Sequence, residues 1–147
     1  MAIGRICQRE VDVASPEENV RIAAERMHQR TVGCLVAIDA NRIPVGIITD
    51  RDLAIRVVAA GLDVDNTSVD HVMTHTPRTV REGTAIEFAL SLMRGGVFRR
   101  LPVTNDDGEL VGLVTLDDIL LLLAEEFAHV RGVLERETPA GAAAKAG

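Results

Sequence analysis

The sequence predicts an α/β fold of the α+β class, in which two copies of one β-α-β-β-α unit pack about a pseudo-twofold axis. The first observation is an internal repeat: the segment that begins at Gly46 recurs at Gly112, 66 residues further along the chain. The second is the order of patterns, because in each copy a β-rich apolar run ends in Thr and a helical pattern follows at once. The third is size, since 147 residues make one ordinary domain or two halves that share a core. A fixed internal period sets the architecture before any site is considered.

Composition indicates a globular protein and argues against a nucleic-acid or membrane partner. The chain is 47% hydrophobic, carries a net charge of −6 and has three Phe but no Trp or Tyr. A nucleic-acid binder needs a basic face and stacking rings, and this chain offers neither. Its N-terminus has no stretch typical of a signal peptide, and its longest apolar run, 119–124, is too short to cross a bilayer. These features favour a cytoplasmic location.

The repeat divides the chain into a first unit with its lead-in segment at 1–64, a second unit at 65–137 and a flexible tail at 138–147. Ser15 is expected to cap the first helix, with Pro16 at its first position, and Thr84 to cap the equivalent helix. Apolar residues predict strands at 34–38, 44–48, 101–104 and 110–114, and a second helix follows the return strand in each unit. The helix that follows the second unit's return strand is predicted to run from Asp117 to about Glu135.

Two Thr-x-x-Asp segments mark the strand-to-helix junctions, Thr49 to Asp52 and Thr115 to Asp118. Each fits a capping box, which is a common helix start with no function beyond stability. The same residues could also bind a ligand, because a helix start at a strand end suits a phosphate and a carboxylate can hold a ribose diol. Two copies related by a twofold axis would bring both junctions to one region.

The tandem unit resembles a pair of CBS domains, the cystathionine-β-synthase-type regulatory module, over about residues 3–130. The resemblance rests on the helices that end near Met27 and Met93, on the Leu-Pro-Val strand that begins at Leu101, and on the Gly-x-x-Thr-x-x-Asp segments at 46–52 and 112–118. It implies a non-catalytic regulatory or sensor module. It also implies an adenine nucleotide ligand (AMP, ADP or ATP, with S-adenosylmethionine or NAD(H) as alternatives) and no required cofactor.

The resemblance further implies two clefts, each formed by both repeats. Thr49 and Thr115 would contact phosphate or ribose oxygens, and Asp52 and Asp118 would hold the ribose diol. The adenine would be flanked by Thr79, Val80 and Phe98 in the first cleft and by Val13 and Ala14 in the second. Because three arginines occur near the first cleft only, phosphorylated adenosine is expected to prefer it, and little positive charge is expected in the second; the alternative is a solvated surface. The three are Arg51, Arg99 and Arg100.

Other features leave further alternatives open. The helix that begins near Ile119 is more apolar than its counterpart and predicts a homodimer through the repeat-terminal helices. Cys7 and Cys34 form no CxxC motif and are expected to be reduced thiols. A zinc site of Cys7, His71 and His75 is possible by ligand type, although the spacing matches no established pattern. The alternative function is a ligand-free stress or protein-interaction module on the same fold, with an unidentified protein partner.

Overall fold

The computed structural model describes residues 1–96 and 98–137, which form two β-sheets with helices packed against them. The predicted tail, 138–147, lies outside the described residues. The first sheet has the order β1-β2-β3-β4 and the second has the order β5-β6-β7. The strands are β1 (Val13–Ala14), β2 (Cys34–Ile38), β3 (Pro44–Thr49), β4 (Thr74–His75), β5 (Val80–Arg81), β6 (Arg100–Thr104) and β7 (Leu110–Thr115). The α-helices are α1 (Val20–Arg30), α2 (Asp50–Asp52), α3 (Val69–Val72), α4 (Ile86–Gly95) and α5 (Leu116–Glu137).

The two sheets repeat the same strand pairings at the same offset. The antiparallel pair β2–β3 aligns Cys34 with Thr49, and the pair β6–β7 aligns Arg100 with Thr115. Each hairpin also receives a short parallel strand, β1 beside β2 and β5 beside β6. The predicted strands and the mixed α/β fold class are therefore confirmed, and each Thr lies at the end of its return strand.

The two lead-in segments, residues 3–12 before β1 and residues 69–79 before β5, are exchanged between the two halves. β4 lies near the start of the second unit, before β5, yet it pairs with β3 of the first unit. Reciprocally, the backbone of Gln8 forms an antiparallel bridge with Leu113 of β7, with both N–H···O distances at 2.9 Å. Each sheet is therefore completed by chain that leads into the other unit.

The exchange extends into the two hydrophobic cores. Val69 and Met73, from the second lead-in, are buried in the first core, whereas Ile3, from the first lead-in, is fully buried in the second. It also explains a glycine inside a strand: a Cβ at Gly112 would lie 2.7 Å from the Cys7 sulfur. The close approach that an in-strand glycine indicates is made here by the protein's own lead-in and not by a ligand.

Both predicted first-helix caps are wrong, and the structure shows why. Asn19, not Ser15, caps α1, because its side chain accepts a hydrogen bond from the Ile22 N–H at 3.0 Å. The Ser15 hydroxyl instead donates to Glu17. In the second unit the Thr84 hydroxyl accepts from Arg81 N–H, and α4 begins without a side-chain cap. Polar residues in these short connections have several possible partners, so local sequence does not decide among them.

The second helices of the two units differ in length. After α2 the first unit continues only through a π-helical stretch, Leu53–Val58, and Gly61 then takes a left-handed conformation with φ +70°. α5 is an uninterrupted helix of 22 residues, two longer at its end than the sequence indicates. Within the described residues, no helix combines the length and the apolarity that crossing a bilayer would require.

Candidate functional site

Both Thr-x-x-Asp segments form capping boxes. The Asp52 carboxylate accepts from Thr49 N–H at 2.9 Å, and Asp52 N–H donates to the Thr49 hydroxyl at 3.2 Å. Thr115 and Asp118 repeat these contacts at 2.8 and 3.2 Å. The two capping boxes therefore make the same reciprocal contacts, although the Thr115 hydroxyl also donates to Asp118 at 2.9 Å.

A cleft of about 240 Å³ faces the first motif and is formed by both halves of the chain. One wall carries Thr49 and Asp52, at the end of β3 and the start of the following helix. The opposite wall comes from the segment that enters β6. The residues that line the cleft are Ile47, Thr49, Asp52, Thr74, Pro77, Phe98, Arg99 and Arg100.

Several polar groups in this cleft have hydrogen-bonding capacity left for a ligand. The Thr49 hydroxyl accepts from Asp52 N–H, and over residues 1–96 and 98–137 it donates to no acceptor. The second oxygen of Asp52 lies 3.7 Å from Arg56 Nε, beyond hydrogen-bond distance. Arg99 and Arg100 are exposed, and neither guanidinium makes a hydrogen bond or ion pair with the residues described. The cleft therefore combines a free hydroxyl, a partly free carboxylate and two available cations.

Sequence reasoning placed some residues of this cleft and missed others. Phe98 lies in it, whereas Thr79 is exposed outside it and Val80 is buried in the second core. Thr74 and Pro77 line it instead. The exchanged lead-in explains the difference, because the residues that reach β3 lie a few positions earlier in the chain than the repeat alignment suggested.

Arg51, the third arginine expected near the first cleft, is exposed and does not line it. Its N–H donates to the Asp50 carboxylate at 2.8 Å, next to it in the first turn of the helix. Arg51 therefore differs from Arg99 and Arg100, which belong to the second half and do line the cleft.

The second motif is occupied by the protein's own side chains. Gln8 Nε2 donates to one oxygen of Asp118 at 3.1 Å. The other oxygen accepts from both the N–H and the hydroxyl of Thr115, at 2.8 and 2.9 Å. Neither Asp118 nor the Thr115 hydroxyl is therefore as available to a ligand as its counterpart in the first half.

Val13 and Ala14, expected opposite the second motif, lie elsewhere. They line an open depression of about 950 Å³ on the first half, which includes neither Thr115 nor Asp118. Ala14 is 2% exposed and belongs to the first core.

A cavity of about 250 Å³ does adjoin the second motif, but its charge differs from the sequence expectation. The sequence suggested little positive charge there, because residues Gly33 and Cys34 occupy the positions equivalent to Arg99 and Arg100. The structure corrects this, since both arginines line this cavity as well as the first cleft. They enter β6 at the end that lies beside Thr115, so the pair faces both motifs.

Cys34 lies beside this charged region as a protonated thiol. Its pKa is raised to about 11, mainly by burial; the charge of Arg100 lowers the pKa, and the carboxylates of Asp52 and Asp50 raise it. Both cysteines are free thiols. Among the residues that the structure describes, no three His, Cys, Asp or Glu side chains converge as metal ligands, and the possible zinc site of Cys7, His71 and His75 is not assembled.

The fold and the cleft define a tandem-repeat module in which two β-α-β-β-α units exchange their lead-in segments and form a cleft of about 240 Å³ between them. The chain belongs to the CBS domain family: the family model matches residues 3–59 and again residues 69–125. The two matches are offset by the same 66 residues as the motif, so the tandem CBS pair is confirmed.

Individual relatives agree with this assignment. An uncharacterised protein of Methanopyrus kandleri is 36% identical over 120 residues, which are 82% of this chain and 61% of that protein. A CBS domain protein of Pyrobaculum aerophilum, solved in complex with AMP, is 27% identical with a TM-score of 0.74, covering 85% of this chain and 99% of that one. CBSX2 of Arabidopsis thaliana, also solved with AMP, is 28% identical with a TM-score of 0.73, covering 84% and 96%.

Proposed function

We propose that this chain is a non-catalytic regulatory module that senses an adenine nucleotide of the AMP, ADP or ATP class in the cleft beside Thr49 and Asp52. The observation that carries the proposal is that this cleft is formed by both halves. The first half supplies the hydroxyl and the carboxylate, and the second half supplies Phe98 and the two arginines. A ligand bound there would contact both repeats. Binding could therefore change the arrangement of the two repeats, which is what a regulatory module requires.

The chemistry of the cleft matches the parts of a nucleotide. The second oxygen of Asp52 can accept from a ribose hydroxyl, because the capping box uses only the first oxygen. The guanidinium groups of Arg99 and Arg100 match phosphate oxygens in geometry and charge. Apolar atoms of Ile47, Pro77 and Phe98 provide a surface for the purine. Two structural neighbours solved with AMP support the same ligand class.

The cleft is slightly smaller than the roughly 300 Å³ at which ligand pockets usually begin. Arg99 and Arg100 form much of its wall and are exposed, so their side chains can move outward at little cost. We infer that the cleft widens when the nucleotide enters.

The test compares Asp52→Asn with its matched control, Asp118→Asn. In each variant the amide oxygen can still accept the capping hydrogen bond, so both folds should be retained. Calorimetric titration with AMP should show binding to the wild-type protein and about tenfold or greater weakening in Asp52→Asn, because a hydrogen bond to a charged group contributes about 1.5–3 kcal/mol. Asp118→Asn should bind within about twofold of the wild-type protein, since Asp118 is already occupied by Gln8.

A thermal-shift series with AMP, ADP, ATP, S-adenosylmethionine and NADH provides a second readout. A ligand at 100 times its Kd stabilises the folded state by about 2.7 kcal/mol. No response to any of the five ligands would refute the sensing proposal and favour the ligand-free interaction module. Equal weakening in the two Asn variants would refute the assignment to the first cleft.

We propose further that the chain forms a homodimer through α5. This helix exposes large apolar side chains along its length, which a soluble monomer would leave in water. They include Leu120 at 53%, Leu121 at 64%, Phe127 at 74% and Val130 at 55% exposed. A ligand-free interaction module would use the same apolar surface of α5. The sensor and the interaction module therefore differ in whether the cleft binds a nucleotide, and both allow α5 to form an interface.

A further inference from the structure

Two separate cavities, one between the halves and one lined by the second half alone, share one pair of cations. The first cleft, of about 240 Å³, and the cavity beside Thr115, of about 250 Å³, have Arg99 and Arg100 in common. The backbone of this pair is fixed, because Leu116 N–H donates to the Arg99 carbonyl at 2.9 Å and Arg100 pairs with Thr115 in the sheet. The two guanidinium groups therefore stand between the cavities and can serve both.

The two arginines between the first cleft and the second cavity favour an anion long enough to reach both. Both guanidinium groups are exposed, and neither is engaged by any residue in 1–96 or 98–137. Asp117 is the one carboxylate among the described residues that line the second cavity, and its charge opposes a phosphate tail there. Each guanidinium carries several N–H donors, so the pair offers more donors than a single phosphate uses.

The second cavity is suited to a phosphate tail and not to a second nucleoside. A nucleoside there would need Asp118 as its ribose acceptor, and both oxygens of Asp118 are already hydrogen-bonded by Gln8 and Thr115. No such group is needed for a phosphate, which requires only donors and positive charge.

We propose that the cleft selects adenosine ligands by the length of their phosphate chain, and that nucleoside di- and triphosphates bind more tightly than the monophosphate. The base and ribose would occupy the Thr49 cavity, and the second and third phosphates would pass Arg99 and Arg100 into the cavity beside Thr115. This inference rests on the proposed function, because it concerns the same cleft and deepens its ligand assignment.

Calorimetric titration with adenosine, AMP, ADP and ATP, in buffer with EDTA, tests the inference on four proteins besides the wild type. They are the double variant Arg99→Gln/Arg100→Gln, Asp117→Asn, Arg131→Gln and Asp52→Asn. Wild-type affinity should rise with each phosphate, and ATP should bind about tenfold or more tightly than AMP, because each phosphate adds charge-assisted hydrogen bonds. The double variant should reduce that ratio to about twofold or less.

Of these variants, Asp117→Asn tests where the second and third phosphates bind, and Arg131→Gln is its control. Asp117→Asn should strengthen ATP binding severalfold and leave AMP binding unchanged, because only the longer ligand reaches the second cavity. Arg131→Gln removes one positive charge, half of what the double variant removes, but lies far along α5, paired with Glu135 at 2.8 Å. It should leave every affinity within about twofold of the wild-type value, since distant exposed charges are screened.

The outcomes separate this inference from the proposed function. If AMP binds and Asp52→Asn weakens it, but ATP binds no more tightly than AMP, the sensing proposal stands and the selection by phosphate number is refuted. An ATP preference that survives in the double variant would also refute it, because the arginine pair would not be its cause. If adenosine and all three nucleotides fail to bind, the proposed function itself fails.

Discussion

The two Thr-x-x-Asp junctions have the same local structure but different surroundings. Each caps its helix through the same reciprocal contacts, and each lies at the end of an equivalent strand. Phe98 lines the cleft beside the first junction, Arg99 and Arg100 line cavities beside both, and Gln8 bonds to Asp118 of the second. The cap is therefore common to both halves, whereas the capacity for a ligand differs because Gln8 and the Thr115 hydroxyl already bond to Asp118.

The largest expected effect concerns the helices that follow the two junctions. The first unit's helix ends at Val58, whereas α5 runs on to Glu137 with an exposed apolar face. Phe127→Asp should convert the proposed dimer to a monomer, with dissociation favoured about 100-fold or more, because a charge would enter the apolar centre of the interface. Sedimentation equilibrium measures the change.

Its control is Ile22→Asp, on α1, where an apolar side chain is 43% exposed outside the repeat-terminal helices. This variant should sediment as the wild-type protein does. A wild-type chain that is monomeric at micromolar concentration would contradict the dimer, whichever variant is examined.

A smaller effect should separate the two capping threonines. Thr49→Ala and Thr115→Ala each remove one N-cap and should lower the free energy of unfolding by about 1 kcal/mol, measured by urea denaturation. Only Thr49→Ala should also weaken nucleotide binding, by about fivefold, because the Thr115 hydroxyl already donates to Asp118. Equal loss of affinity in both variants would mean that the second junction contributes to binding and that the contrast drawn here is incorrect.

The smallest effect on stability is expected when Gln8, which faces Asp118, and Thr74, which faces Asp52, are each replaced by the other's residue type. Gln8 and Thr74 are equivalent in the repeat, and each faces the Thr-x-x-Asp junction of the other unit. Gln8→Thr should change stability by less than about 1 kcal/mol, because its bond to Asp118 is exposed. Thr74→Gln should place an amide beside Asp52 and weaken nucleotide binding severalfold.

Titration of both variants with AMP checks this exchange. Gln8→Thr should leave affinity at the first cleft unchanged, since the two clefts are separate. Unchanged affinity in Thr74→Gln would show that an amide at this position does not compete for the carboxylate, and the explanation offered for the closed second junction would then be incorrect.

The sequence predicted what local patterns determine. Apolar runs and their offset located the hairpins β2–β3 and β6–β7, because each strand's pattern depends on its own residues. The motif also indicated correctly that Asp52 and Arg99 would share a cleft, through the resemblance to CBS pairs. These features depend on the internal repeat, which an alignment of the sequence with itself reveals.

What the sequence did not predict depends on contacts between distant segments. The lead-ins have no periodicity, so nothing in their sequence indicated that Gln8 would pair with β7 or that Thr74 and Pro77 would line the cleft. The cap at Asn19 was missed for a related reason, because several polar residues precede α1 and only tertiary packing selects one.

The reciprocal exchange of lead-ins has a consequence for the cooperativity of the whole chain. Because Ile3 fills the second core and Val69 fills the first, cutting the chain between the repeats would leave each fragment without part of its own interior. Neither repeat is then an autonomous folding unit, and the two should unfold in a single transition. Thr74 lines the cleft, and Val72, only two residues earlier, is buried in the first core. A ligand that displaces Thr74 would therefore also displace the backbone next to a core residue.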